Sequence, residues 1–251
     1  MNQPAPAADL LTEARRLHGA AEAAGITARL LGGAAVAISA PAPLPAALQR
    51  PYKDLDYVVR RADAARWRDL LAGHGYTADT QFNVLHGAQR LLHYDEAHQR
   101  QVDTFVSSFA MCHALDLEDQ LPAGAATLAP ADLLLTKLQI YEVNDKDLID
   151  AIALLLTHPA VGDGQPGLDT RRLAKVTSTD WGWYTTLTDN LAKVAARLPG
   201  AGLSADQARL VAGRIDQISA ALATAPKSLK WRARAKVGRR VPWYDLPEEP
   251  D

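Results

Sequence analysis

The chain has 251 residues, 48% of them hydrophobic and 22% charged, with a formal charge of -2. That balance fits one or two globular domains with a sizeable core, and it excludes a disordered chain and a histone-like polycation. The single cysteine, Cys112, excludes an internal disulfide framework and a cysteine-built zinc cage, so a reducing cytoplasm is the expected setting. Residues 1–9 carry neither a basic start nor an apolar run, so no leader is expected. The uncharged run 30–48 is interrupted by Gly32, Gly33, Pro41, Pro43 and Pro45, so no membrane partner is expected either.

In chain order, residues 8–24 predict an amphipathic helix, because Leu10, Ala14, Leu17, Ala21 and Ala24 recur at helical spacing. Residues 27–31 predict a short strand that runs into Gly32-Gly33, with a helix at 34–39 behind it. A proline-rich loop, 41–51, leads to Arg50 and Lys53. Residues 54–60 predict a second strand, 63–73 a helix, and 76–81, 89–94 and 101–106 three further strands. The last two flank 95–100, a polar stretch suited to a hairpin. Beyond Pro130 the pattern turns helical: 131–142, 145–157, 170–178, 181–197 and 204–225, with Asn144 capping the second. Residues 162–167 read as a loop and 247–251 as an acidic tail. The layout is α+β followed by helices, with a soft boundary between residues 121 and 130.

The most informative residues are Asp54, Asp56 and Asp103. Residues two apart on a strand share a face, so Asp54 and Asp56 point one way and Leu55, Tyr57 and Val59 the other. Asp103 sits inside the apolar run 102–106. If the two strands are neighbours, three carboxylates converge, and three close carboxylates need positive charge. Magnesium, a hard cation that takes carboxylate oxygens and keeps positions open for phosphate, is the expected cofactor. A two-ion site stabilises both the attacking and the leaving oxygen of an in-line displacement. The bland reading leaves the aspartates at strand ends in water. Gly32-Gly33 follows a strand and opens a helix, where bare backbone N–H groups bind phosphate; an ordinary tight turn is the alternative. The P-loop pattern and the dinucleotide glycine pattern are both absent.

Gly32-Gly33, Asp54-Leu55-Asp56 and Asp103 resemble the core of the DNA polymerase β-like nucleotidyltransferase superfamily. The interval from Gly33 to Asp54 is longer than in compact members, and the proline-rich insertion accounts for it. Leu133 to Gln139, with Lys137, and then Asn144 to Asp150 are similar to the AbiEii-type branch, which includes toxins of bacterial toxin–antitoxin systems. The resemblance covers roughly half the chain. It implies a nucleotidyltransferase-like mixed β-sheet with flanking helices over residues 1–125, and a helical region with a basic end over 126–251. It implies transfer of a nucleoside monophosphate from a nucleoside triphosphate to an acceptor hydroxyl, with Asp54, Asp56 and Asp103 catalytic and metal-holding. Gly32 and Gly33 would hold phosphates, RNA (a tRNA end included) would be the acceptor, and an antitoxin protein a partner. A small molecule or a protein hydroxyl stays open as acceptor. The rival is a regulatory nucleotide- or RNA-binding protein that keeps the fold without catalysis.

Three further groups have two readings each. Lys137 lies in an apolar helix and needs an anion, either a nucleotide phosphate or Asp147 and Asp150, which share a helical face. Arg50 and Lys53 neutralise a triphosphate or belong to a solvated loop. Residues 227–240 hold seven basic and no acidic residues, so the strip carries +7 and the rest of the chain -9. With Trp231, Trp243 and Tyr244 nearby, Lys230, Arg232, Arg234, Lys236, Arg239 and Arg240 suit nucleic acid. A solvated helical face is the alternative, and a strand is an alternative geometry. His93 and His98 read as surface residues of the hairpin turn. Trp181, Trp183 and Tyr184 read as packing, and Cys112 and His113 as neighbours that point apart rather than a catalytic pair.

Overall fold

A computed structural model describes residues 5–162 and 165–246. In chain order the elements are α1 (Leu10–Ala23), β1 (Ala28–Leu31), α2 (Gly32–Ser39), β2 (Leu55–Val59), α3 (Ala64–Gly73), β3 (Thr77–Ala78), α4 (Thr80–His86), β4 (Arg90–Asp95), β5 (Arg100–Val106), β6 (Ser108–Ala110) and β7 (Ala114–Asp116). Then follow α5 (Pro130–Leu138), α6 (Asp145–Thr157), β8 (Ala160–Val161), β9 (Leu168–Asp169), α7 (Thr170–Thr179), α8 (Trp181–Arg197), α9 (Ala205–Thr224) and α10 (Leu229–Val237). The fold is α+β, with a mixed sheet, flanking helices and a helical C-terminal region, as the sequence implied. No helix among the described residues is long and apolar enough to cross a membrane.

The chain forms two compact units. The first contains residues 1–39, 50–109 and 115–128. Its sheet has the order β1-β2-β5-β4-β3. β2 and β5 run parallel, and the other neighbours are antiparallel. The β4–β5 hairpin closes at the polar stretch the sequence marked, with Asp95 opposite Arg100. One face of the central strands is sealed by α3: fully buried Trp67 packs at a tilt against Tyr57 with centroids 4.9 Å apart and donates its indole N–H to Thr104 Oγ1 at 3.0 Å. Tyr57 and Thr104 are register partners. Their strand neighbours therefore face away from Trp67, and those neighbours are Asp56 and Asp103.

The second unit contains residues 40–49, 110–114 and the chain from 129 onward. Polar caps set its helix starts. Asn144 accepts from the Asp147 N–H, Asp180 from Trp183 N–H and Ser228 from Trp231 N–H, while Ser204 and Gln207 form a reciprocal capping box. Helix α5 is buried nearly all round, Leu133, Leu134, Leu135 and Leu138 each being fully enclosed, and it packs against α6, α7 and α8.

Three local readings need correction. Residues 76–81 form a two-residue strand and then α4, because Asp79 accepts the Phe82 N–H and starts a helix. Helix α5 stops at Leu138 rather than running to residue 142. Gln139 turns inward there, and its Oε1 accepts the N–H groups of Met111 and His113 at 3.2 Å each. His93 is no turn residue: it lies in β4 with 0% exposure. The short strands β6 to β9 carried no readable alternation. Within the loop read at 162–167, residues 163–164 lie outside the described residues, as does the acidic tail 247–251.

Candidate active site

The parallel pairing of β2 with β5 sets Asp56 directly beside Asp103. Both side chains lie on the face turned away from Trp67, Asp103 buried to 5% exposure and Asp56 half-buried. Asp54, one residue before β2, is exposed.

Gly32 is bent into the left-handed region, with φ +73°, and its bare Cα abuts the Asp56 carboxylate. A Cβ at Gly33 would strike the guanidinium of Arg50, whose carbon stands 4.9 Å from the Tyr52 ring centroid. The glycine pair thus begins α2 and makes room for an acid on one side and a cation on the other. Arg50 thus lies beside Gly33, while Lys53 is exposed.

Arg90 was missed. It lies on β4, two residues from Leu92, the register partner of Asp103, and its Nε stands 2.8 Å from Oδ1 and 3.0 Å from Oδ2 of that carboxylate. Its Nη2 closes on Oδ2 as well. The guanidinium packs over Phe82 and Phe105, 5.7 and 5.2 Å from their centroids. The Asp103 carboxylate raises the arginine's pKa above its ordinary value, chiefly through these hydrogen bonds. A signal existed: an arginine opens the apolar run Arg90-Leu91-Leu92, and counting back from the hairpin turn puts it diagonal to Asp103.

Two features bear on metal binding. The carboxylates of Asp56 and Asp103 are hard oxygen donors on neighbouring strands, a donor set that suits magnesium. Among the described residues, however, no group of three His, Cys, Asp or Glu side chains is already gathered to hold a metal ion. Asp103 is turned to Arg90 instead.

The remaining candidates lie in the second unit. Lys137 Nζ is 2.9 Å from both Asp147 Oδ1 and Asp150 Oδ2, with side-chain exposures of 12, 11 and 3%. Burial alone would lower the lysine's pKa, but the two carboxylates overcome it and the net shift is upward. Asn144 Nδ2 also donates to Asp147 at 2.9 Å. The charge of Lys137 is thus balanced internally.

The basic strip is helical, as α10 and a short turn of 3-10 helix at Gly238–Arg240. Four of its charges are engaged, Arg232 among them, donating its Nε–H to the Lys227 carbonyl at 3.0 Å. Lys227 bonds the Leu222 carbonyl, Arg234 donates to the carbonyls of Gly238 and Val241 at 2.6 and 2.8 Å, and Arg239 pairs with Asp189 at 2.8 Å. Lys230, Arg232, Lys236 and Arg240 are exposed.

Residues 5–153 match the profile of a family described as "Uncharacterised nucleotidyltransferase". No curated protein matches the chain's sequence at a significant level. Among solved structures, an antigenic nucleotidyltransferase-like protein from Paracoccidioides brasiliensis is similar at 14% identity, with 90% of this chain and 97% of that one covered and a TM-score of 0.44.

Proposed function

The chain belongs to the nucleotidyltransferase family whose profile spans residues 5–153, and on that premise we propose that it moves a nucleoside monophosphate from a nucleoside triphosphate to an acceptor hydroxyl. The observation that carries the reading is the register match of Asp56 with Asp103 beside a glycine turn. The triphosphate lies along Gly32-Gly33 at the start of α2, with Arg50 and Lys53 offsetting its charge. Asp54 and Asp56 hold magnesium, and Asp103 is the third carboxylate. The metal supplies charge stabilisation at the transferring phosphoryl group and the leaving oxygen.

The acceptor oxygen forms a bond to the α-phosphorus while the bond from that phosphorus to the bridging oxygen breaks. Pyrophosphate leaves, and the acceptor's proton passes to Asp103 once Arg90 has loosened its hold. Arg90 positions the carboxylate and Tyr52 positions Arg50. RNA as acceptor, the AbiEii-type branch, and a toxin role with an antitoxin partner are finer proposals. They rest on the sequence resemblance.

One observation favours the rival, a regulatory nucleotide- or RNA-binding protein without catalysis: Arg90 already occupies both oxygens of Asp103. The two readings separate on incubation with each α-labelled nucleoside triphosphate, magnesium and total RNA. Transfer predicts label in an acceptor, lost in Asp56→Asn. Nucleotide binding without label in any acceptor would favour the rival.

A further inference from the structure

The second unit contains a cleft of about 700 Å³, lined by α10, by the start of α8 and by residues 242–245. Four of the chain's five tryptophans line it, Trp181, Trp183, Trp231 and Trp243, together with Tyr244. The fifth, Trp67, is buried in the other unit. The rings pack edge-on against one another, Trp181 on Trp243 with centroids 6.0 Å apart and Trp243 on Tyr244 at 5.3 Å, and the cleft they border falls in the size range of ligand sites.

The rings are held in place by other contacts. The Arg234 guanidinium lies 4.8 Å from the Trp181 centroid while it grips the carbonyls of Gly238 and Val241. Arg239 covers Trp243 at 5.1 Å and is anchored by Asp189. Tyr244 stacks on Tyr141 with centroids 4.0 Å apart and planes 16° from parallel. Any side chain at Gly182 would strike the Trp243 carbonyl, so the backbone of the last segment rests directly on α8. Walls fixed in this way lose little freedom when a ligand enters.

The polar groups point to an anion. The Trp231 indole N–H is buried and has no hydrogen-bond partner among the described residues. Lys230 lines the cleft and is exposed, and Arg232, Lys236 and Arg240 lie exposed on the same basic strip, which holds no acidic residue from 227 to 240. Asp180 and Asp245 are also in the lining; Asp180 is committed to capping α8, and Asp245 is exposed. Aromatic walls with a cationic rim suit a ligand that carries flat π faces on a chain of negative charges. A duplex does not meet this description, because its base faces are stacked on one another and only base edges and phosphates are offered.

We propose that this cleft binds an unpaired stretch of nucleic acid, seating bases among the indoles and phosphodiesters on Lys230, Arg232, Lys236 and Arg240. As an acceptor site it rests on the transfer reaction proposed above, but binding itself does not. The test uses the full chain carrying Asp56→Asn, so that no transfer can occur. Fluorescently labelled 12-nucleotide single strands of RNA and of DNA, the matching duplex and an acidic peptide are titrated by polarisation, and tryptophan emission is followed in parallel. The proposal expects single strands to bind and quench tryptophan emission, with affinity falling as salt rises. Charge reversal at exposed Lys230 and Lys236 lowers single-strand affinity about tenfold or more and flattens the salt slope by about 0.7 for each phosphate no longer neutralised. RNA and DNA binding alike marks shared base-and-phosphate chemistry, and preference for RNA marks the 2′-hydroxyl. Duplex binding as tight as single-strand binding, acidic peptide binding in their place, binding without quenching, or affinity unchanged in Lys230→Glu/Lys236→Glu overturns it. If single strands bind here while the wild-type chain transfers no nucleotide to any acceptor, the transfer reading fails and the cleft stands.

Discussion

Arg90 reaches from β4 to close on both oxygens of Asp103, its Nε 2.8 Å from Oδ1 and 3.0 Å from Oδ2. This pair balances a carboxylate of 6% side-chain exposure that has Asp56 as its cross-strand neighbour. Removing the arginine therefore leaves two adjacent acids with one cation fewer. Arg90→Ala is expected to lose about 3 kcal/mol of stability without divalent metal, the usual cost of a stranded buried charge. Magnesium should restore part of that loss, because it supplies the missing positive charge. Urea unfolding of both proteins with and without magnesium checks this, and an equal difference under both conditions would show that the pair is independent of any metal.

Gly33 and Arg50 act as one unit, since a Cβ at Gly33 would displace the guanidinium. Gly33→Ala and Arg50→Ala should each raise KM for the nucleoside triphosphate about tenfold, roughly 1.4 kcal/mol of lost binding. The double variant should be little worse than either single one, because both remove the same interaction. Steady-state kinetics of the four proteins decide it, and simple multiplication of the two effects would show that the residues act separately.

Lys137 neutralises Asp147 and Asp150 inside the second unit. Lys137→Met should cost about 3–5 kcal/mol in the nucleotide-free protein. Adding Asp150→Asn should recover part of it by removing one stranded charge. A lysine kept only for nucleotide phosphate would show the opposite pattern, with nucleotide-free stability unchanged and nucleotide affinity lost.

His93 is buried at 0% exposure, with neither ring nitrogen hydrogen-bonded among the described residues, and burial lowers its pKa from the ordinary 6.5 to about 4. The unfolded chain takes up a proton below 6.5 that the fold refuses until about 4. Stability should therefore fall as pH drops through that window, by about 3 kcal/mol from this residue at 1.36 kcal/mol per unit. His93→Phe should flatten that limb of the stability curve, as read by urea unfolding from pH 7 to pH 4. An unchanged slope would place the acid sensitivity elsewhere.

Much of the fold was legible because its signals are local. Asn144, Asp180 and Ser204 cap where the periodicity begins, and the polar turn at 95–100 fixed the β4–β5 hairpin. The placement of Asp56 on the face opposite Tyr57 followed from strand alternation alone. What escaped depends on partners distant in sequence. The parallel neighbour of β2 is β5, more than forty residues away, so convergence of Asp56 with Asp103 was conditional on a pairing no local pattern states. Arg90 drew no reading, because its link to Asp103 depends on that register. His93 looked exposed because polar residues surround it, yet the antiparallel sheet encloses it. Helix α4 was hidden by its length, although Asp79 had the chemistry of a cap.

The central claim is that Asp56, its neighbouring acids and the glycine turn form one site for metal and triphosphate. Manganese, as a paramagnetic stand-in for magnesium, tests it most directly when titrated into the protein with an unreactive nucleoside triphosphate analogue and followed by electron paramagnetic resonance. The account predicts that the nucleotide analogue and manganese bind together, that Asp56→Asn abolishes this joint binding, and that Lys230→Glu leaves it intact. Manganese binding that is absent, or that is the same in wild type and Asp56→Asn, would contradict it.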